Sequence, residues 1–260
     1  MRQKALRYIV LPLLLIAFGM CCFFALRPWL IRTKSQIVAQ STVNSFLEEH
    51  RASKEDATVE ANELQESTAE QKELPHKELL EAMQDYNQKI FEEEQNGFCS
   101  PQAYVAPALN FSAYGLDADS AIGVLQIPSI SVNLPIYSGA SSSHLAKGAA
   151  LLTQTSFPIG GRNTNAVIGA HRGRNAEDFL RHIEDVQIGD EVIVTNFWED
   201  LYYTVAEYKI IEPNDIAQVL IKPDRDLLTV FSCHPYSGGS KYRYLLICER
   251  VESKAQVQGG

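Results

Sequence analysis

From Ile9 to Leu26 the chain offers only apolar residues, Gly19 and Pro12, and no segment of this kind can be dissolved in water or folded as a polar loop. In a hydrocarbon environment each backbone N–H and C=O must be satisfied within the segment, which leaves a helix as the solution for a single span. At about 1.5 Å per residue the run, extended slightly at either end, crosses a bilayer core of roughly 30 Å. Arg2, Lys4 and Arg7 precede it, and Arg27, Trp29, Arg32 and Lys34 follow it. A cleaved secretory signal is the competing reading. The run is longer than an ordinary signal core and no small-x-small cleavage site follows, so residues 1–34 read as an uncleaved single-pass membrane anchor. Basic residues flank both ends, so charge does not set the orientation.

The net charge of −9 says little about partners once it is mapped. Glu48 to Glu94 hold fifteen Asp/Glu and five Lys/Arg, a net of −10, and the rest of the chain carries 18 basic and 17 acidic residues. Nothing forms the clustered basic face that nucleic-acid binding requires. Residues 35–96 are rich in Glu, Gln, Ala, Ser and Lys with sparse apolar positions (Phe46, Leu47, Leu79, Leu80, Met83), which reads as an acidic helical stalk broken near Pro75, a solvated spacer.

After Gly97 the texture changes. Short Val-, Ile- and Tyr-rich runs (Gly123–Ile130, Ala166–Ala170, Glu191–Thr195, Tyr202–Ile211, Leu227–Cys233, Tyr242–Cys248) alternate with turn signals such as Pro-Ile-Gly-Gly and Ser-Gly-Gly. That pattern predicts a closed, mainly β domain over residues 97–255, with a polar tail at 256–260. Ala176–Ile183 reads as a short helix presenting Phe179, Leu180 and Ile183 on one face.

Cys21 and Cys22 lie in the apolar run, and Cys99, Cys233 and Cys248 are widely spaced, so the five cysteines form neither a disulfide framework nor a metal-ligand pattern. Cys233 ends an apolar run just before a Pro/Gly loop, where a rigid scaffold displays functional groups; taken alone, it reads better as a small buried hydrophobe. Cys99 and Cys248 keep that plain reading. His171 also ends an apolar run, Ala166-Val-Ile-Gly-Ala-His171, before a glycine loop. A thiol needs a neighbouring imidazole to hold or take its proton before it becomes a nucleophile at neutral pH, and two strand ends of one barrel can supply the pair. His50 and His76 lie in the stalk, His144 in a serine-rich loop and His182 beside charged neighbours. His234 follows Cys233 and should point away from the thiol, because side chains alternate along a strand. Acyl transfer also needs a cation or N–H donors at the oxyanion. Arg243 opens the last apolar run, and a hairpin through Pro235 to Lys241 would place it beside Cys233; Lys241 and Arg250 remain alternatives on residue pattern alone.

Five blocks, in order, resemble the sortase family: Ile127-Pro-Ser-Ile130 with Leu134-Pro-Ile-Tyr-Ser-Gly139; Gly148 to Ile159 with Thr155-Ser-Phe-Pro-Ile-Gly-Gly161; Ala166 to Gly173; Gly189-Asp190; and Thr229-Val-Phe-Ser-Cys233. The resemblance implies an eight-stranded β-barrel with short helices, His171, Cys233 and Arg243 as catalytic residues, and no required metal or organic cofactor, although some members bind calcium. It implies an enzyme on the outer face of a Gram-positive membrane that cleaves an LPxTG-like sorting motif and passes the acyl group to an amine. Pro158-Ile-Gly-Gly161, Ala170-His-Arg-Gly173, Cys233-His-Pro-Tyr236 and Tyr86-Asn87 are similar to class C, the pilin polymerases, whose acceptor is a pilin lysine. Where that class usually carries an Asp-Pro-aromatic lid plug, this chain has Leu109-Asn-Phe-Ser-Ala-Tyr114. The alternative is a housekeeping sortase that attaches surface proteins to a peptidoglycan precursor.

Overall fold

The computed structural model describes residues 2–63, 74–96, 104–173, 178–236, 239 and 241–251. Eight strands close into a barrel: β1 (Ala121–Ile127), β2 (Val132–Ser138), β3 (Ala149–Leu151), β4 (Thr164–Gly169), β5 (Glu191–Thr195), β6 (Asp200–Ile211), β7 (Asp226–His234) and β8 (Tyr242–Arg250). Their order around the barrel is β1-β2-β3-β4-β7-β8-β6-β5. The pairs β2–β3 and β4–β7 are parallel and the others antiparallel. Alternation along the strands sends Ile168, Val194, Leu228, Val230 and Leu246 into the main core, while Val167, Phe231 and Leu245 belong to a separate apolar cluster on the outer face of β4, β7 and β8. Sequence patterning found the longer strands. It missed β2, whose Pro135 lacks a ladder N–H, and β3, which has only three residues.

Two helices precede the barrel, α1 (Arg2–Glu63) and α2 (Lys77–Glu92). An 18-residue window of α1 has mean hydropathy 2.0 with none of it buried in the protein, so the helix is long and apolar enough to cross a membrane. The segment expected to be a solvated spacer is packed instead. Val43 and Phe46 of α1 join Val124 and Tyr137 on the outside of β1 and β2, and Arg32 and Gln36 both reach Asp178, at 3.3 and 3.2 Å. Leu79, Met83, Asn87 and Ile90 form the buried stripe of α2. Leu79 and Met83 enter the main core with Phe111 and Phe157, and the Asn87 amide spans the Phe157 backbone, donating to its carbonyl at 3.2 Å and accepting from its N–H at 2.7 Å. One apolar face suffices to dock a helix whose other face is acidic, which is why composition misled.

The helix expected over Ala176–Ile183 is also corrected. Residues 176 and 177 lie outside the described residues, and from Asp178 onward the chain turns and forms only a 3₁₀ turn, Ile183–Asp185. Phe179, Leu180 and Ile183 are buried as expected, but a loop anchored by the Leu180 N–H to the His171 carbonyl (2.9 Å) buries them.

Candidate active site

Cys233 is the penultimate residue of β7, and its directly opposed partner across the antiparallel ladder is Arg243, the second residue of β8. Opposed residues share a face with Cβ atoms about 5 Å apart, so thiol and guanidinium stem are neighbours. On the other side of β7, the parallel ladder with β4 ends at Gly169 opposite Phe231. Cys233 lies two residues beyond that pair on β7, level with Arg243, and His171 lies two residues beyond it on the chain that leaves the end of β4. Parity puts Cys233 and Arg243 on the outer face with Phe231 and Leu245.

This register separates the three candidate cations. Arg243 stands beside Cys233, half-buried, with Nη1 donating to the Tyr242 carbonyl at 3.0 Å. Lys241 is exposed, and Arg250, at the far end of β8, lies over the Tyr203 ring at 5.6 Å and reaches Glu199 at 3.6 Å. It separates the cysteines as well. Cys233 is half-buried, whereas Cys248 is fully buried and its burial pushes the thiol well above the ordinary range.

An apolar cavity of about 270 Å³ runs along the same outer face, lined by Tyr104, Val105, Leu152, Val167, Ile216, Phe231 and Leu245, with Arg243 among its lining residues. Phe231 can lie across β4 because position 169 is glycine: a Cβ there would sit 2.4 Å from the ring. Phe111 and Tyr114, at the position of the class C plug, pack into the main core instead, Phe111 against Phe157 with ring centroids 6.2 Å apart. The segment that borders the groove is Tyr104–Val105, fixed by the Ala140 N–H to the Tyr104 carbonyl (2.6 Å). Residues 98–103 lie outside the described residues.

Behind the site, His234 points to the opposite face, as alternation expects, and its Nδ1 lies 2.5 Å from Glu184. Arg172 binds the same carboxylate at 2.7 Å and donates to the Cys233 carbonyl at 3.1 Å. Arg172, beside His234, holds the Glu184 carboxyl below its ordinary range. Sequence reasoning assigned no role to either Arg172 or Glu184. Arg172 was signalled by its place in the string Ala170-His-Arg-Gly173, and no local pattern points to Glu184. Among the described residues, no group of three or more His, Cys, Asp or Glu side chains is placed to hold a metal.

Residues 125–251 match the sortase domain family. The barrel is a sortase domain. Among curated proteins, it is similar to sortase D of Bacillus subtilis, 25% identical over 55% of this chain and 71% of the relative. Among solved structures, sortase C1 of GBS pilus island 1 superposes with a TM-score of 0.64 at 25% identity, covering 83% of this chain and 93% of that one. Clostridium perfringens sortase C, solved with the C-terminal cell wall sorting motif, superposes with a TM-score of 0.58 at 29% identity, covering 76% and 97%. Sortases are cysteine transpeptidases.

Proposed function

We propose that the chain is a membrane-anchored pilin-polymerising sortase, with Cys233 as nucleophile, His171 as acid and base, and Arg243 as oxyanion partner. The observation that carries this reading is the register that opposes Cys233 to Arg243, a lining residue of the apolar groove, with His171 leaving the end of the strand paired to β7. The apolar part of α1 anchors the enzyme, with the barrel on the outer face of a Gram-positive membrane.

The groove takes the apolar part of an LPxTG-like motif. The Cys233 thiolate attacks the threonine carbonyl carbon, forming a C–S bond, and the Arg243 guanidinium stabilises the oxyanion, a contribution on the order of 10²–10³ in rate for one such donor. Collapse breaks the Thr–Gly bond, and the glycine nitrogen leaves with a proton from His171. A neutral pilin lysine amine then attacks the thioester carbonyl carbon, His171 takes the proton its nitrogen releases, and the isopeptide bond forms as the C–S bond breaks and the thiolate departs.

Intact mass spectrometry of the full chain in detergent, wild type and Cys233→Ala, with LPxTG-type peptides and a lysine-bearing pilin fragment, tests this. An adduct on the wild type alone that moves to the pilin lysine is the expected result. Transfer only to a peptidoglycan-type amine would establish the housekeeping role instead, and no adduct with any motif would reject the reaction.

A further inference from the structure

Because the β4–β7 ladder stops at Gly169 and Phe231, His171 and Cys233 lie beyond its last pair, and ladder hydrogen bonds do not set their separation. The Ser232 hydroxyl donates to the Ala170 carbonyl at 2.7 Å and holds the outgoing strands together at that level. A second connection runs on the inner face. Arg172 and His234, each the residue after a proposed catalytic residue, both contact Oε1 of Glu184, at 2.7 and 2.5 Å. The Arg172 guanidinium, with only 5% of its side chain exposed, also bonds the main-chain carbonyl of Cys233. Its planar face lies 5.9 Å from the Tyr236 ring, and the Tyr236 hydroxyl donates to the Gly173 carbonyl at 3.4 Å, which joins the loop after β7 to the loop after β4.

Burying a guanidinium is costly, and a buried ion pair seldom stabilises a fold more than an apolar pair of the same size would. What it supplies here is geometry, since Arg172 Nη1 alone is shared between the Glu184 carboxylate and the Cys233 carbonyl while Nε faces the Arg181 carbonyl at 3.5 Å, and a planar guanidinium held at both points tolerates few arrangements. We propose that Arg172, Glu184 and His234 form a positioning clamp that sets the distance between the His171 imidazole and the Cys233 thiol from behind the sheet. The clamp rests on the catalytic roles proposed above. Arg172 touches the nucleophile through its main chain alone and is a positioning residue.

The test is a double-mutant cycle on the full chain in detergent, reading iodoacetamide alkylation of Cys233 by peptide mass. Glu184→Gln is expected to slow alkylation about tenfold when His171 is present and less than about twofold in a His171→Ala background, because it acts by loosening the His171–Cys233 pair. Arg172→Met, which keeps the stem and removes the Nη1 donor shared by the Glu184 carboxylate and the Cys233 carbonyl, should follow Glu184→Gln, and thermal melting confirms that both variants fold. An equal drop in the two backgrounds would mean general loosening and overturn the clamp; no drop in either would overturn it too. In parallel, kcat for acylation by an LPxTG-type peptide should fall about 10- to 100-fold with KM within about twofold. If the wild type forms no acyl-enzyme, the proposed reaction fails while the alkylation cycle still decides the clamp.

Discussion

Leu79→Ala distinguishes a docked α2 from a solvated one. Leu79 is 0% exposed and Met83 1% exposed, both in the cluster that holds Phe111 and Phe157. On a solvated spacer the change would move stability by less than about 0.5 kcal/mol, with a slight gain from the helix propensity of alanine. In a packed core, losing the isobutyl group costs about 2–5 kcal/mol from transfer and the residual cavity. For a folded unit of this size each kcal/mol shifts Tm by about 2–4 °C, so a loss near 3 kcal/mol predicts a drop of about 6–12 °C. The assay is thermal unfolding of the full chain in detergent by near-ultraviolet circular dichroism, with Glu81→Ala on the exposed face as control. A Leu79→Ala shift under about 1 °C would refute the packing argument. The effect should extend to chemistry. Asn87 holds the Phe157 backbone, and from the same loop Thr155 Oγ1 accepts the Val167 N–H of β4 at 3.2 Å, so a loosened α2 disturbs the strand that carries His171. A fragment beginning at Gly97 should accordingly melt lower than one beginning at Ser35.

Gly169→Ala should push the Phe231 ring off β4 at an overpacking cost of about 1–3 kcal/mol and raise KM for the sorting peptide; an unchanged KM would show that the ring does not shape the groove. Iodoacetamide on the folded chain should label Cys233 and spare Cys248, whose thiol is buried and pushed up; labelling of Cys248 before unfolding would contradict the core assignment. Since Arg172 depresses the Glu184 carboxyl, that group's contribution to stability is present above the unfolded glutamate range of about 4.3 and is lost as pH falls through the lower folded value. Glu184→Gln should therefore flatten the acid limb of the stability–pH curve, and an identical limb would remove the ion pair from the account. Residues 35–260, without the apolar run, should partition into the aqueous phase of a detergent separation while the full chain enters the detergent phase.

The parts of this fold that were legible in the sequence are those in which one strand carries its own signal. β4, β5, β6, β7 and β8 announce themselves by Val, Ile and Tyr between turn residues, and both His171 and Cys233 could be placed at strand ends because a glycine or Pro/Gly loop follows each. What stayed hidden depends on pairing. A hairpin after Cys233 suggests Arg243 as its neighbour, but Arg243, Lys241 and Arg250 are equivalent as residue types, and the register Cys233↔Arg243 separates them. Glu184 is twelve residues from Arg172 and fifty from His234, so its bridging position is a product of barrel closure. The α2 stripe had a visible period, Leu79, Met83, Asn87, Ile90, but was outweighed by an acidic average that describes only its other face. Local pattern thus reports which residues reach the strand ends, and topology decides which of them meet. For this barrel the topological step is the parallel β4–β7 pair, which carries His171 and Cys233 out of the sheet in the same direction and leaves the inner-face contacts of their neighbours to hold them in place.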